Sequence, residues 1–469
     1  MRIQAVVGLI GLALLLQSEL TQAYKVLIFN PAFGASHSNF LGKIADILID
    51  AGHDVTMLIP ISLQGKKHLV GSKKVQKIIR IPQDPRSIEL NEQSGAEDVL
   101  RKKIWKIDSD IMVFLKMAGN FSIACGYQCE HVFQQTKILE DLRNEKFDLG
   151  ITEALFICGY PLFDHLGIRT VINADSTLFM DAVKNALGEP ASTSFYPGLI
   201  SPLTDKMSLV GRLKNTIGMY LSIYFSQMRF NNELEAIKPY YNGTKTWREH
   251  LAGMAFNFIN SNQYLDYASP TLPKTVFIGG MQVNTKKNGK LTTWMPQNDL
   301  LADPRLSLFV THGGLGSTME LAYQGKPAVI IPLMADQPRN AHMLTRHGGA
   351  LQVDKTKLNK PEEIKKAIQM VLNDPEYKRN AEKLAKILEE QPYSPKDVVL
   401  KHCDFAVKHG VLETLTSEGR NLNTFQFYSF DIALALIVIL IVITVIILSI
   451  LRCLVTLSIN LIAGKTKKD

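Results

Sequence analysis

Cysteine is scarce: five in 469 residues, at positions 125, 129, 158, 403 and 453. So few exclude a disulfide framework, and no second pair accompanies Cys125 and Cys129 to complete a zinc site. Those two stand four apart, within disulfide reach on a helix, and read as a structural disulfide or two buried thiols. No repeat or low-complexity tract stands out, which sets aside solenoids and disordered linkers. The chain also lacks a dense basic stripe. Its net charge of +8 is scattered through short runs such as Lys73-Lys74 and Arg101-Lys102-Lys103. Without interleaved aromatics these runs are solvated surface, so no nucleic acid is expected as a partner.

The length allows two or three domains with proper cores. Both ends carry apolar segments. Arg2, the run Ala5–Leu16 and the small-residue site Thr21-Gln22-Ala23 read as a secretory signal peptide over 1–23. Ile432–Leu451 has no charge for twenty residues, enough to cross a bilayer, and gives a transmembrane helix within 427–452. Arg452 and a basic tail over 453–469, with Lys465, Lys467 and Lys468, follow it. The positive-inside bias puts that tail in the cytoplasm and the bulk of the protein in the lumen. Lysines third and fifth from the end fit a dilysine retrieval signal. The expected location is therefore the endoplasmic reticulum membrane, as a single-pass type I protein. The sequons Asn120-Phe121-Ser122 and Asn242-Gly243-Thr244 are glycosylation candidates if exposed there.

Between the ends, strands alternate with helices. Tyr24–Phe29, helix His37–Asp50, Asp54–Pro60 and Val75–Ile81 open the series. Leu149–Thr152, helix Leu155–Leu166 and Arg169–Ile172 continue it, and Ala255–Ile259 and Thr275–Ile278 close it. This pattern predicts a parallel, doubly wound α/β domain over 24–278. A linker at Gly279-Gly280 leads to a second domain over 279–426. Within the first domain lies helix Ser208–Asn232, and Met207–Met228 sets aromatic and aliphatic side chains at helical spacing, which read first as domain core and otherwise as an apolar acceptor wall or membrane-resting surface.

The densest signal is WMPQNDLLADPRLSLFVTHGGLGSTMELAYQGKPAVIIPLMADQ, from Trp294 to Gln337. Leu306–Thr311 is a strand, His312-Gly313-Gly314 a tight turn, Ser317–Gln324 a helix and Pro327–Leu333 a second buried strand. A histidine, a hydroxyl (Ser317 or Thr318) and free N–H groups gather at that helix start, where anions bind. Asp336 and Gln337, past the next strand, are placed to grip sugar hydroxyls. A diphosphate-sugar site is the natural reading.

The block resembles the signature of UDP-dependent glycosyltransferases, the animal UDP-glucuronosyltransferases in particular. The matching elements are W-x-P-Q (Trp294, Pro296, Gln297), H-G-G (His312 to Gly314), S-T-M-E (Ser317 to Glu320) and P-x-x-x-D-Q (Pro332 to Gln337). The resemblance implies two Rossmann-like domains facing a cleft, the GT-B arrangement. It implies transfer of a glycosyl group, glucuronosyl foremost, from a UDP-sugar to a hydroxyl of a small lipophilic acceptor, with inversion. UDP-glucuronate or UDP-glucose would be the donor. Trp294 would stack on uracil and Gln297 contact the nucleoside. His312 and the N–H groups from Gly314 through Gly316 to Ser317 would take the phosphates in place of a metal, so no cofactor is expected. Glu320 would hold the ribose, and Asp336 and Gln337 the sugar. Gly316 stands where the family usually has Asn. His37, which follows the turn Gly34-Ala35-Ser36, falls on the family's catalytic base. A helix start disfavours imidazolium and keeps the ring neutral. Glu153 falls on the position of the base's orienting aspartate. A homo-oligomer stands among the partner expectations.

The resemblance also exposes a gap. The family has a complete βαβ unit between the linker and W-x-P-Q, but here only Met281–Thr293 lie there. Such a unit needs roughly 30 residues. The second domain is therefore expected to be truncated, lacking the first two strands of its sheet. The alternative function is a non-catalytic, splice-shortened membrane protein that binds lipophiles or partners.

Overall fold

The computed structural model describes residues 23–94, 111–281, 283 and 297–465. Most of the expected signal peptide, Trp294 and the lysines at 467 and 468 lie outside the described residues. The chain divides into two units, Met1–Thr416 and Ser417–Asp469.

The first unit is built on a seven-stranded, all-parallel sheet in the order β3-β2-β1-β4-β5-β6-β7. Its strands are β1 (Lys25–Phe29), β2 (Asp54–Pro60), β3 (Lys77–Ile81), β4 (Leu149–Thr152), β5 (Val171–Asp175), β6 (Phe256–Ile259) and β7 (Thr275–Phe277). Both faces are covered, so β1 is apolar without alternation. Val26 and Ile28 enter one core with Leu41, Ile44 and Leu48 of helix Ala35–Asp50. Leu27 and Phe29 enter the opposite core with Val132, Leu139 and Phe163. Val399, Cys403 and Ala406 of helix Pro395–His409 pack into the first of these cores, so the chain returns to this sheet. The stretch before the second unit holds two helices, Pro375–Glu389 and Pro395–His409, separated around Pro392. Helix Leu209–Ile237 starts at a Ser208 cap and runs five residues past its expected end.

The cysteine expectation is corrected. Cys129 pairs with Cys158, Cα–Cα 5.7 Å, and Cys125 is a buried free thiol. Cys125 and Cys129 point the same way along helix Ile111–Phe133, whereas Cys158 comes from the facing segment after β4. Of the two sequons, Asn242 is exposed in a loop, while Asn120 is half-buried within that helix.

Past the linker lies a second parallel sheet, ordered β10-β9-β8 and made of β8 (Phe309–Thr311), β9 (Ala328–Ile330) and β10 (Ala350–Gln352). Among the described residues it has three strands, and β8 pairs on one side only. In a doubly wound order a first strand would pair with that open side. Side chains of the first domain pack against the second. Leu178, Tyr196, Leu265 and Tyr267 share one core with Leu315, Met319, Met343 and Leu384. Polar ties join the domains as well. Buried Arg339 meets Asp266 at 2.9 Å and donates to the Pro197 carbonyl at 3.1 Å. The Tyr323 hydroxyl donates to the Gly279 carbonyl at 3.0 Å and accepts from Asn262 at 3.0 Å. Gly280 sits at φ +95, and a Cβ there would lie 2.2 Å from the Tyr323 ring.

The second unit is described on its own. A short helix, Thr424–Phe427, is capped by Asn423, and helix Phe430–Lys465 follows. Its stretch Phe430–Asn460, 31 residues, is long and apolar enough to cross a membrane.

Candidate functional site

The carboxyl ends of adjacent strands β1, β4 and β5 converge, which is where ligands of such sheets bind. After β1 the turn Asn30–Gly34 starts helix Ala35–Asp50 and leaves His37 in its first turn. Glu153 is the first residue past β4, and Ser176 the first past β5. His37 Nδ1 lies 2.8 Å from Glu153 Oε2 and 2.8 Å from Ser176 Oγ. Ser176 donates its N–H and its hydroxyl to Glu153 Oε1 at 2.9 and 2.6 Å. That network fixes the carboxylate and makes both neighbours of Nδ1 acceptors. Nδ1 therefore carries the ring proton, and Nε2 keeps its lone pair.

The electrostatics correct one expectation. Burial opposes an imidazolium at His37, but the Glu153 carboxylate outweighs it and raises the pKa above its ordinary value. A carboxylate in hydrogen-bond contact acts more strongly than the partial charge of a helix start. Glu153 responds in the opposite sense: burial would raise it, yet His37 and Ser176 hold it below the ordinary carboxylate range. Asp175 beside them is buried and pushed up to about 8, by burial first and then by Glu153.

Ser176 and Asp175 escaped the sequence reading, which ended that strand at Ile172. A buried strand that runs on through Asn173 and Asp175 looks like a loop. The available signal was position, since residues at the carboxyl ends of parallel strands line ligand sites.

In the second domain, β8 delivers His312 and the Gly313-Gly314 turn. Gly313 sits at φ +79, and a Cβ on Gly314 would be 2.9 Å from His312 Nε2, so the ring folds over a bare backbone. Helix Leu315–Gln324 then starts with Gly316 and Ser317 in its first turn. Of the two candidate hydroxyls, Thr318 is buried and bonded to the Gly314 carbonyl at 3.1 Å, which leaves Ser317 for the site. Gln297 donates to Ser317 Oγ at 2.9 Å and to Glu320 Oε2, and Asn298 donates to Glu320 Oε1 at 2.8 Å. Gln297, Ser317 and Glu320 thus form one cluster. Burial raises Glu320 against these two amides.

Asp336 follows Ala335, a non-glycine residue at φ +53. Its carboxylate accepts from Asn340 at 2.8 Å, and burial raises its pKa. Gln337 Oε1 turns back to the N–H groups of Leu333 and Met334 at 2.9 and 3.2 Å, so what it can offer a ligand is its amide nitrogen. Asp336 acts electrostatically on both His37 and His312, although burial is the larger influence on each ring and lowers His312 overall. The two groups of sequence candidates, more than 100 residues apart in the chain, therefore meet around Asp336.

Residues 24–290 and 283–468 match the family described as UDP-glucuronosyl and UDP-glucosyl transferase. The chain belongs to this family. Among its relatives, ugt-47 of Caenorhabditis elegans is 27% identical, with 90% of this chain and 91% of that protein covered. UDP-glucuronosyltransferase 2B7 of Homo sapiens is 25% identical, covering 87% and 89%. The alignment to ugt-47 runs over 500 positions yet takes in 90% of this chain, so that relative carries residues that face gaps here. The crystal structure of the glycosyltransferase VinC with dTDP superposes with a TM-score of 0.53 at 13% identity, covering 82% of this chain and 100% of that one. That likeness shows the fold, GT-B. In this UDP-glycosyltransferase family member the His37 network belongs to the first domain and the His312 turn to the second.

Proposed function

We propose that the chain transfers a glycosyl group, glucuronosyl foremost, from a UDP-sugar to a hydroxyl of a small lipophilic acceptor. His37 Nε2 takes the acceptor proton as the oxygen attacks the anomeric carbon from the face opposite UDP, which inverts that carbon. Glu153, seconded by Ser176, orients the ring and stabilises the imidazolium that forms. The departing diphosphate is met by His312 and by the N–H groups from Gly314 to Ser317, with no metal required. Glu320 and Gln297 hold the nucleoside together with Trp294, while Asp336 and Gln337 hold the sugar. We place the protein in the endoplasmic reticulum membrane, anchored by helix Phe430–Lys465. The observation that carries this reading is the 2.8 Å contact between His37 Nδ1 and Glu153, with the opposite ring nitrogen left as base.

A second reading, a lipophile-binding protein without turnover, is favoured by a second sheet that has three strands among the described residues. Thermal unfolding of the full-length chain with UDP separates the two. At a hundred times its dissociation constant UDP stabilises the folded state by about 2.7 kcal/mol. A raised midpoint supports the transferase, and UDP-glucuronate and UDP-glucose are then compared as donors. An unmoved midpoint supports the second reading.

A further inference from the structure

Helix Leu209–Ile237 is inside out over its first half. Its packed side is Gly211, Asn215, Met219 and Ser226, continuing through Phe230 and Ile237. Asn215 pins that side to the preceding loop. Its amide donates to the Thr193 and Tyr196 carbonyls at 2.8 and 2.9 Å and accepts the Gly198 N–H at 3.0 Å. The opposite side carries Leu209, Leu213, Ile217, Tyr220 and Tyr224, spaced as one helical stripe and exposed from 43% at Tyr220 to 75% at Leu209. Val210 and Leu221 widen the stripe and are exposed too. A helix of a water-soluble fold buries its apolar stripe and shows its polar one. The reading of this stripe as domain core is set aside by its exposure. Further along, the same side turns to exposed Gln227, Asn231 and Glu235. The apolar surface is therefore a patch about 22 Å long that ends within the helix.

Charge marks what the patch meets. From Lys206 to Asn232 the sequence has Lys206, Arg212, Lys214 and Arg229 and no acid. Exposed Arg212 and Lys214 fall on either edge of the stripe. Long basic side chains in such places cover apolar surface with their stems and bring their charge to anionic headgroups. Tyrosine favours the same boundary. A second copy of the chain fits less well. A two-fold pairing of the stripe brings the basic edges of both copies together, with no acid of this segment to offset them. The chain also holds a bilayer within reach. Residues 417–429, at most about 50 Å when extended, lead from the first unit to the membrane-crossing helix Phe430–Lys465.

We infer that the half of this helix from Leu209 to Tyr224 is a second membrane contact. It lies flat in the surface of an anionic bilayer, with the apolar stripe inward and Arg212 and Lys214 against the headgroups. The inference rests on the proposed anchoring by helix Phe430–Lys465 and not on the transfer chemistry.

The test uses the full-length chain in vesicles of phosphatidylcholine and phosphatidylserine. Cys453→Ser removes the exposed native thiol, while Cys125 and Cys403 are buried. An NBD fluorophore is attached to Leu213→Cys, Ile217→Cys or Tyr224→Cys, with Asn231→Cys and Glu235→Cys as controls on the same helix. All five positions are exposed, so the fold loses no buried contact. An interfacial helix sinks its apolar face by about 5–10 Å, so lipids with a nitroxide high on the acyl chain quench the three stripe labels at least about threefold more than the controls. Leu213→Glu and Leu221→Glu together, placed in the Ile217→Cys chain, remove that excess. Stripe labels quenched no more than the controls, or an excess that survives both glutamates, overturn the inference. Oxidative cross-linking of Ile217→Cys between copies, in place of quenching, gives the patch to a second copy and overturns it too. A label on Leu440→Cys, within the membrane-crossing helix, separates the failures. Where deep nitroxide lipids quench it, unquenched stripe labels sink the surface contact alone. Where they do not, the anchor falls and this inference with it, and the transfer reading is untouched.

Discussion

Burial of an imidazole beside a carboxylate sets two effects against each other at His37, and the carboxylate wins. This fixes the sign of the pH dependence. The ring works as a base only when neutral, so kcat/KM climbs as pH rises through a His37 pKa lying above the ordinary value. Glu153→Gln removes the opposing charge and leaves burial, which lowers the pKa. The acid limb of the profile then moves to lower pH, while kcat falls by about two to four orders of magnitude as ring orientation and imidazolium stabilisation are lost. A pH–rate profile of the two proteins checks both, and an unmoved limb would detach Glu153 from the base. His37 and Glu153 were legible in the sequence because each follows an apolar strand at a place the family marks. Ser176 was not, because its role arises from two strand ends meeting side by side in the sheet.

The elements were legible where burial is apolar. Asp54–Pro60 and Leu149–Thr152 have the same limits in the sequence and in the structure, since every buried position there announces itself. β5 was misjudged because Asn173 and Asp175 are buried through polar contacts. Asn173 is bonded to Tyr160 at 2.8 Å and Asn257 at 2.6 Å, and no pattern in the linear chain reveals such partners. The Cys129–Cys158 pairing was hidden for the same reason, its partner being 29 residues away. The linker is an element with little tolerance. At Gly280 a side chain meets both a left-handed φ of +95 and the Tyr323 ring at 2.2 Å. Gly280→Ala should cost about 3 kcal/mol of stability, left-handed strain and overpacking combined. Chemical denaturation measures this. A cost under about 0.5 kcal/mol would mean that the linker does not hold the domains as described.

Across the larger unit the second sheet's layer leans on the first domain. The shared core around Tyr196, Tyr267, Met319 and Met343 and the buried Arg339–Asp266 pair join it to that domain. Arg339 stands three residues after Asp336, so the pair also ties a proposed sugar-binding residue to the first domain. Arg339→Met leaves Asp266 buried without its partner and should cost about 3–5 kcal/mol. Asp266→Asn in the same background should recover part of that loss in a thermal melt. An Arg339→Met protein as stable as the wild type would remove the pair from this account.

The most direct test of the central claim is product formation by the full-length chain in membranes, given UDP-glucuronate and 2-naphthol and read by NMR at the anomeric proton. The account predicts a β-linked glucuronide from the α-linked donor, with His37→Ala making at least about a hundredfold less. No glucuronide from the wild type, or an equal yield from His37→Ala, would contradict it.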